Sequence, residues 1–171
     1  AEVAMLAYTG MRPCELYGLR REDVHWEEGR VYVQRSASKG RLNDSGKTGF
    51  GRDIYVHDVA LQAMKAHVQG MMSSGHPGLV SGLVFPKADG GPRDANTLLK
   101  PLRRASLAIG LGWNVRSVTF RRTIVTWLKR GGVDPVVRRA QTGHRTDAVE
   151  EWYEYAGFDA QKEALRTLFG A

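Results

Sequence analysis

Residues 142–155 read TGHRTDAVEEWYEY. A Gly-His turn presents His144, and Tyr153 follows nine residues later. Between them Thr146 or Asp147 can N-cap a short helix, because either side-chain oxygen accepts from the free amides of a first turn. That helix would turn Ala148, Val149 and Trp152 inward and leave Tyr153 at its end, on a separate element from His144. A tyrosine held near a histidine is either a packed aromatic or a nucleophile. The surrounding chain has to separate the two.

At 171 residues the chain is long enough to bury a core as one domain without covalent staples. Its single cysteine, Cys14, excludes an internal disulfide framework and fits a reducing compartment. No apolar run approaches the roughly 20 residues that a membrane-spanning helix needs. No charged-then-apolar signal opens the chain either. These features predict a soluble, cytoplasmic protein with no membrane partner. The opening residues, AEVAMLAYTG, read as the middle of an amphipathic helix with no start signal, the pattern expected of a fragment lacking an N-terminal part.

The net charge of +7 is unevenly spread. Residues 1–99 hold 12 Lys/Arg against 11 Asp/Glu, residues 100–145 hold 11 against Asp134 alone, and residues 146–171 hold 2 against 6. So basic a central block on amphipathic helices suggests a surface for a polyanion. The plainer alternative is a solvated basic face.

Hydrophobic periodicity predicts a mostly helical α+β fold with one antiparallel β-hairpin or small sheet. A helix over 2–8 stops at Thr9-Gly10, and Pro13 starts the next turn, where its missing amide hydrogen costs nothing. Residues 31–35 and 52–57 alternate as half-buried strands. The Gly-, Ser- and Asn-rich stretch between them, with Lys39, Arg41 and Lys47, reads as a long hairpin tip. Asp58 caps a helix over about 59–72 that buries Val59, Leu61, Met64, Val68 and Met71. Residues 83–86 read as a short strand. Asp94 caps a helix to about Ile109 that Pro101 kinks or divides. Helices from Ser117 or Thr119 to Arg130, from Asp134-Pro135 to Gln141, and over 159–169 complete the chain.

Taken in order, Arg12 at a turn, Lys47 on the tip, Arg121 near a helix start, His144 and Tyr153 suit a phosphodiester. Guanidinium groups fork onto phosphate oxygens and can hold the added charge of a pentacovalent transition state. A lysine or histidine can protonate a leaving oxygen, and a tyrosine near a cationic cluster can attack phosphorus. Nothing in this scheme calls for a metal or cofactor, and no paired-Cys or HExxH spacing is present. Each residue also has an ordinary reading: structural donor for Arg12, exposed loop residue for Lys47, solvated face for Arg121, cap for His144, core aromatic for Tyr153.

The stretches TGMRPCELYGL (9–19), KTGFGR (47–52), VTFRRTIVTWLKRGG (118–132) and TGHRTDAVEEWY (142–153) together resemble the catalytic domain of the tyrosine recombinase/phage integrase family. They match its first arginine box, hairpin lysine, second arginine box and Gly-His motif with tyrosine, in order and across essentially the whole chain. The resemblance implies Arg12 and Arg121 as phosphate-binding arginines and Lys47 as the residue that helps protonate the leaving 5′ oxygen. It implies His144 as a phosphate contact, Tyr153 as the nucleophile of a 3′-phosphotyrosyl link, and Glu15 as a support for Arg12. Tyr155 is the competing tyrosine, and the spacing from His144 favours Tyr153. No cofactor is implied. The implied partners are double-stranded DNA and further recombinase subunits, without a small-molecule substrate. Arg103, Arg104, Arg122, Arg138 and Arg139 are candidates for backbone contacts to DNA.

Two departures stand out. Val118 occupies the position three residues before Arg121 where the family usually has a histidine, and valine cannot transfer a proton. An N-terminal helical domain that closes over DNA in the family has no counterpart in this chain. The expected activity is site-specific strand cleavage and rejoining. A DNA-binding relative that no longer cuts, and a type IB topoisomerase-like relaxing enzyme, are the alternatives.

Overall fold

The computed structural model describes residues 1–43, 51–143 and 157–170. Lys47, His144, Tyr153 and Tyr155, and the short helix expected between His144 and Tyr153, lie outside the described residues.

The first helix, α1 (Glu2–Thr9), ends where Gly10 takes a left-handed φ of 68°. Pro13 opens α2 (Pro13–Gly18) at its first position. After a 3-10 turn, β1 (Val24–His25), β2 (Arg30–Val33) and β5 (Arg52–Tyr55) form an antiparallel sheet in the order β1-β2-β5. Val31 faces Ile54 and Val33 faces Arg52 across the central pair.

Part of the expected hairpin tip is regular structure. Strands β3 (Ser36–Ser38) and β4 (Arg41–Asn43) pair as a separate ribbon. They are joined through Lys39 and Gly40, both at positive φ. Two positive-φ residues make the turn whose twist matches that of the paired strands. The Lys39 amide is satisfied by an Asp94 carboxylate oxygen at 2.8 Å.

Helix α3 (Asp58–Ser73) buries Leu61, Met64, Val68 and Met71 as expected, but Ala60 takes the place assigned to Val59, which is half exposed. Its cap is the ring of His57, which accepts from the Val59 amide, rather than Asp58. Helix α4 (Gly78–Ser81) is a single turn. The stretch 83–86 makes only isolated antiparallel bridges, Leu83 to Arg20 and Pro86 to Pro92, rather than a full strand.

Asp94 forms a turn of its own, and α5 (Leu99–Ala108) begins five residues later. Pro101 therefore sits in the first turn of α5, where no intrahelical amide bond is lost, and it neither kinks nor divides the helix. Helices α6 (Ser117–Arg130), α7 (Pro135–Thr142) and α8 (Phe158–Phe169) follow the expected boundaries closely. Asp134 caps α7 by accepting from the Val136 amide at 2.6 Å.

The strand period of two lets β5 serve two hydrophobic clusters at once. Ile54 joins Leu6, Leu16, Val31 and Met64 in the larger cluster, whereas Tyr55 joins Ile124, Leu128 and Leu165 in the smaller one. Helix α7 is fastened to β5 by Gln141, which is fully buried. Its amide oxygen accepts from Tyr55 N at 3.0 Å and its nitrogen donates to Tyr55 O at 2.9 Å. One side chain thus satisfies both backbone groups on an edge that would otherwise be buried and unpaired.

Candidate active site

Five element ends meet at one place: the C-terminus of α1, the N-terminus of α2, the first residue of β5, the second turn of α6 and the C-terminus of α7. Arg12, Glu15, Arg52 and Arg121 come from three of them: α2, β5 and α6. Glu15 stands three residues into α2 and reaches back, so that its Oε2 accepts from the Arg12 amide at 2.8 Å. This is the carboxylate half of a capping box, and it fixes the entry of α2.

The same carboxylate is shared between two arginines. Arg12 Nη1 donates to Oε1 at 2.9 Å. Arg52 donates in a fork, Nη1 to Oε1 at 3.0 Å and Nη2 to Oε2 at 2.9 Å. Burial by itself would push the Glu15 carboxyl up. The hydrogen bonds and charge of Arg52, and then of Arg12, outweigh that and hold it below the ordinary carboxylate value. Glu15 is therefore an anion at neutral pH.

The cations are also held by the carbonyls that terminate α1 and α7. Arg121 Nη1 donates to Gly10 O at 2.8 Å and to Thr142 O. Arg12 Nη2 donates to Gly143 O at 2.8 Å, and Arg52 Nη2 reaches Thr142 O at 3.4 Å. Helix C-termini carry partial negative charge, so these carbonyls suit guanidinium partners. Even so, one carboxylate faces three arginines. The Arg121 guanidinium is pushed down to about 10, by burial first and by the neighbouring charge of Arg12 next. It remains a cation at neutral pH, in a place that favours an added anion.

Two glycines make this approach possible. Gly143 has φ 67°, and a Cβ there would stand 2.5 Å from the Arg52 guanidinium carbon. Gly10 has φ 68°, and a Cβ there would stand 2.5 Å from the Ile124 side chain. Both belong to Thr-Gly pairs, at 9–10 and 142–143. Arg12 is the more accessible phosphate candidate, its side chain 30% exposed, while Arg121 is 6% exposed.

Arg12, Arg121 and Glu15 are thus brought together as the sequence suggested. Arg52 belongs with them, although the sequence marked it only as the residue opening a strand. The available signal was Glu15 itself, since a buried carboxylate calls for more compensation than one half-exposed arginine supplies. Val118 lies in the first turn of α6, 44% exposed and three residues before Arg121. Arg103 and Arg104 on α5 and Arg122 on α6 are exposed, and Arg138 and Arg139 are half-buried on α7.

A family model described as the phage integrase family matches residues 1–158. Tyrosine recombinase XerD of Chlorobaculum tepidum is 28% identical over 172 residues, covering 98% of this chain and 52% of its own length. Prophage integrase IntR of Escherichia coli is 30% identical over 162 residues, covering 81% of this chain and 38% of its own. The chain therefore spans about half, or less, of the length of these relatives. Among solved structures, XerA recombinase superposes with a TM-score of 0.68 at 23% identity, over 96% of this chain and 55% of that one. The Tn1549 transposon integrase in complex with a circular intermediate DNA gives 0.71 at 20% identity, over 97% and 57%. At such identities the structural likeness establishes the fold, and the match of the family model over nearly the whole chain establishes more: the protein belongs to the phage integrase family.

Proposed function

We propose that this chain is the catalytic domain of a site-specific DNA recombinase or integrase that acts through a 3′-phosphotyrosyl intermediate. The observation that carries the reading is the set of three arginines around one buried carboxylate, anchored on the Thr142–Gly143 turn that leads directly to His144. The names of its relatives support it: a tyrosine recombinase, a prophage integrase, and a transposon integrase in complex with DNA.

In this reading Arg12 and Arg121 hold the non-bridging oxygens of one phosphate, with His144 as a further contact. The Tyr153 oxygen, having lost its proton, attacks phosphorus. The bond to the 5′ oxygen breaks, and that oxygen takes a proton from Lys47. The phosphotyrosyl bond conserves the energy of the broken one, so a 5′ hydroxyl from another strand can reverse the step and rejoin DNA. Donors set in advance around the phosphate are worth about 3 kcal/mol each in comparable sites. Duplex DNA and further recombinase subunits are the proposed partners, and the cytoplasm is the proposed compartment.

The test is a nicked duplex that traps the intermediate. The chain is expected to give a protein–DNA adduct stable to denaturant, kept in Tyr155→Phe and absent in Tyr153→Phe. Loss in Tyr155→Phe alone would move the nucleophile to Tyr155. A second reading, a DNA-binding module that does not cut, draws on Val118 in the place of the family's histidine. It predicts salt-sensitive binding with no adduct, in the natural chain and in Val118→His alike.

A further inference from the structure

Arg52 does more than complete a strand. It carries two bonds to Glu15 and a longer one to Thr142 O, and its guanidinium fills the space that the absent Cβ of Gly143 leaves. It therefore touches, in one side chain, the carboxylate that caps α2 and the turn that ends α7. Those two elements present the partners of Arg12: Glu15 on one side and Gly143 O on the other. The Thr142 carbonyl that Arg52 approaches also accepts from Arg121.

We propose that Arg52 is a positioning residue for strand cleavage, locking Glu15 and the Thr142–Gly143 turn so that Arg12 and Arg121 share one phosphate-binding geometry. This rests on the recombinase reading above. Stability alone is a poor account of the arrangement. A buried ion pair is commonly replaced by apolar residues at no loss, and here a third cation is added beside two others. The Arg52 Nε is moreover buried with no hydrogen-bond partner among the described residues. A strand residue chosen for packing would avoid both costs. In this scheme Arg52 acts through Glu15 and the Thr142–Gly143 turn, to which its terminal nitrogens are bonded.

The experiment uses the full chain and a nicked duplex captured as an adduct from a pool of randomised sequence. Single-turnover cleavage at saturating DNA and the Kd for the same duplex are measured separately. Arg52→Gln is expected to lower the cleavage rate about 100-fold, the scale of a misplaced reacting geometry, while Kd changes less than about threefold. Arg52→Lys keeps the charge and loses the fork, so it is expected to recover only part of the rate. It also carries the test should Arg52→Gln fail to fold. The double variant Glu15→Gln/Arg52→Gln is expected to be no slower than the slower single one, because the two act as a unit. Cleavage by Arg52→Gln at the natural rate overturns the proposal. So does a double variant that loses the product of the single effects, or a rate loss matched by an equal loss of affinity. If the natural chain forms no adduct with any duplex in the pool, the recombinase reading fails and this inference fails with it.

Discussion

The molecule displays its positive charge in two contrasting ways. Around Glu15, three arginines are largely buried, and each places at least one terminal nitrogen on a carboxylate or a helix-end carbonyl. Along α5, Lys100, Arg103 and Arg104 stand exposed together with Leu107, lining an open hollow of the surface. The first arrangement fixes direction at the cost of desolvating charge. The second leaves charge hydrated and able to follow a flexible polyanion. In a family that handles DNA, the difference separates a group that must meet one phosphate from groups that need only meet some phosphate.

That contrast can be broken most directly at Arg121. Arg121→Ala is expected to reduce adduct formation about 1,000-fold, while the Kd for duplex DNA changes less than about tenfold. The same substitution leaves Gly10 O and Thr142 O without this donor, which is expected to cost about 2 kcal/mol in denaturant unfolding. A comparable loss in affinity and in rate would mean that Arg121 belongs with the exposed cations after all.

Glu15 sharpens the comparison through stability. Glu15→Gln removes the anion from between Arg12 and Arg52 and is expected to destabilise the fold by about 3 kcal/mol, read from urea midpoints at neutral pH. Its pH dependence has a definite sign. The folded carboxyl lies below its ordinary value, so its contribution is fully present above the ordinary carboxylate range. It is lost as pH falls through the lowered folded value. The natural chain should therefore lose stability on acidification more steeply than Glu15→Gln. Parallel acid curves for the two would show that the arginines do not depend on this charge.

The smallest effect belongs to the exposed ridge. Arg103→Ala and Arg104→Ala are each expected to reduce the slope of log affinity against log salt by about 1, with cleavage at saturating DNA unchanged. A slope unaffected by either substitution would place the DNA elsewhere.

How much of this was legible beforehand follows from the range of each signal. Pro13, Gly10, Asp134 and the Gly131-Gly132 pair act within a turn or two, and the helix limits they imply agree with the structure. Pro101 misled because its effect depends on whether it stands in a first turn or an interior one, and the start of α5 is set by the Asp94 turn before it. Asp58 misled because His57 competes for the same amide. The ribbon of β3 and β4 was hidden in a polar stretch whose pairing is supported from outside by Asp94.

Sequence by itself determined the family's arginine boxes, the Thr-Gly turns, the basic centre of the chain and the helical class, since each is written in neighbouring residues. Tertiary structure alone decided that Arg52 joins the site, that Gly143 must lack a side chain for it, and that Gln141 completes the edge of β5. Those contacts join residues 37 to 91 positions apart. No local pattern specifies such partners. They follow from β5 lying between the two hydrophobic clusters, which brings α2 and α7 to the same end of one strand.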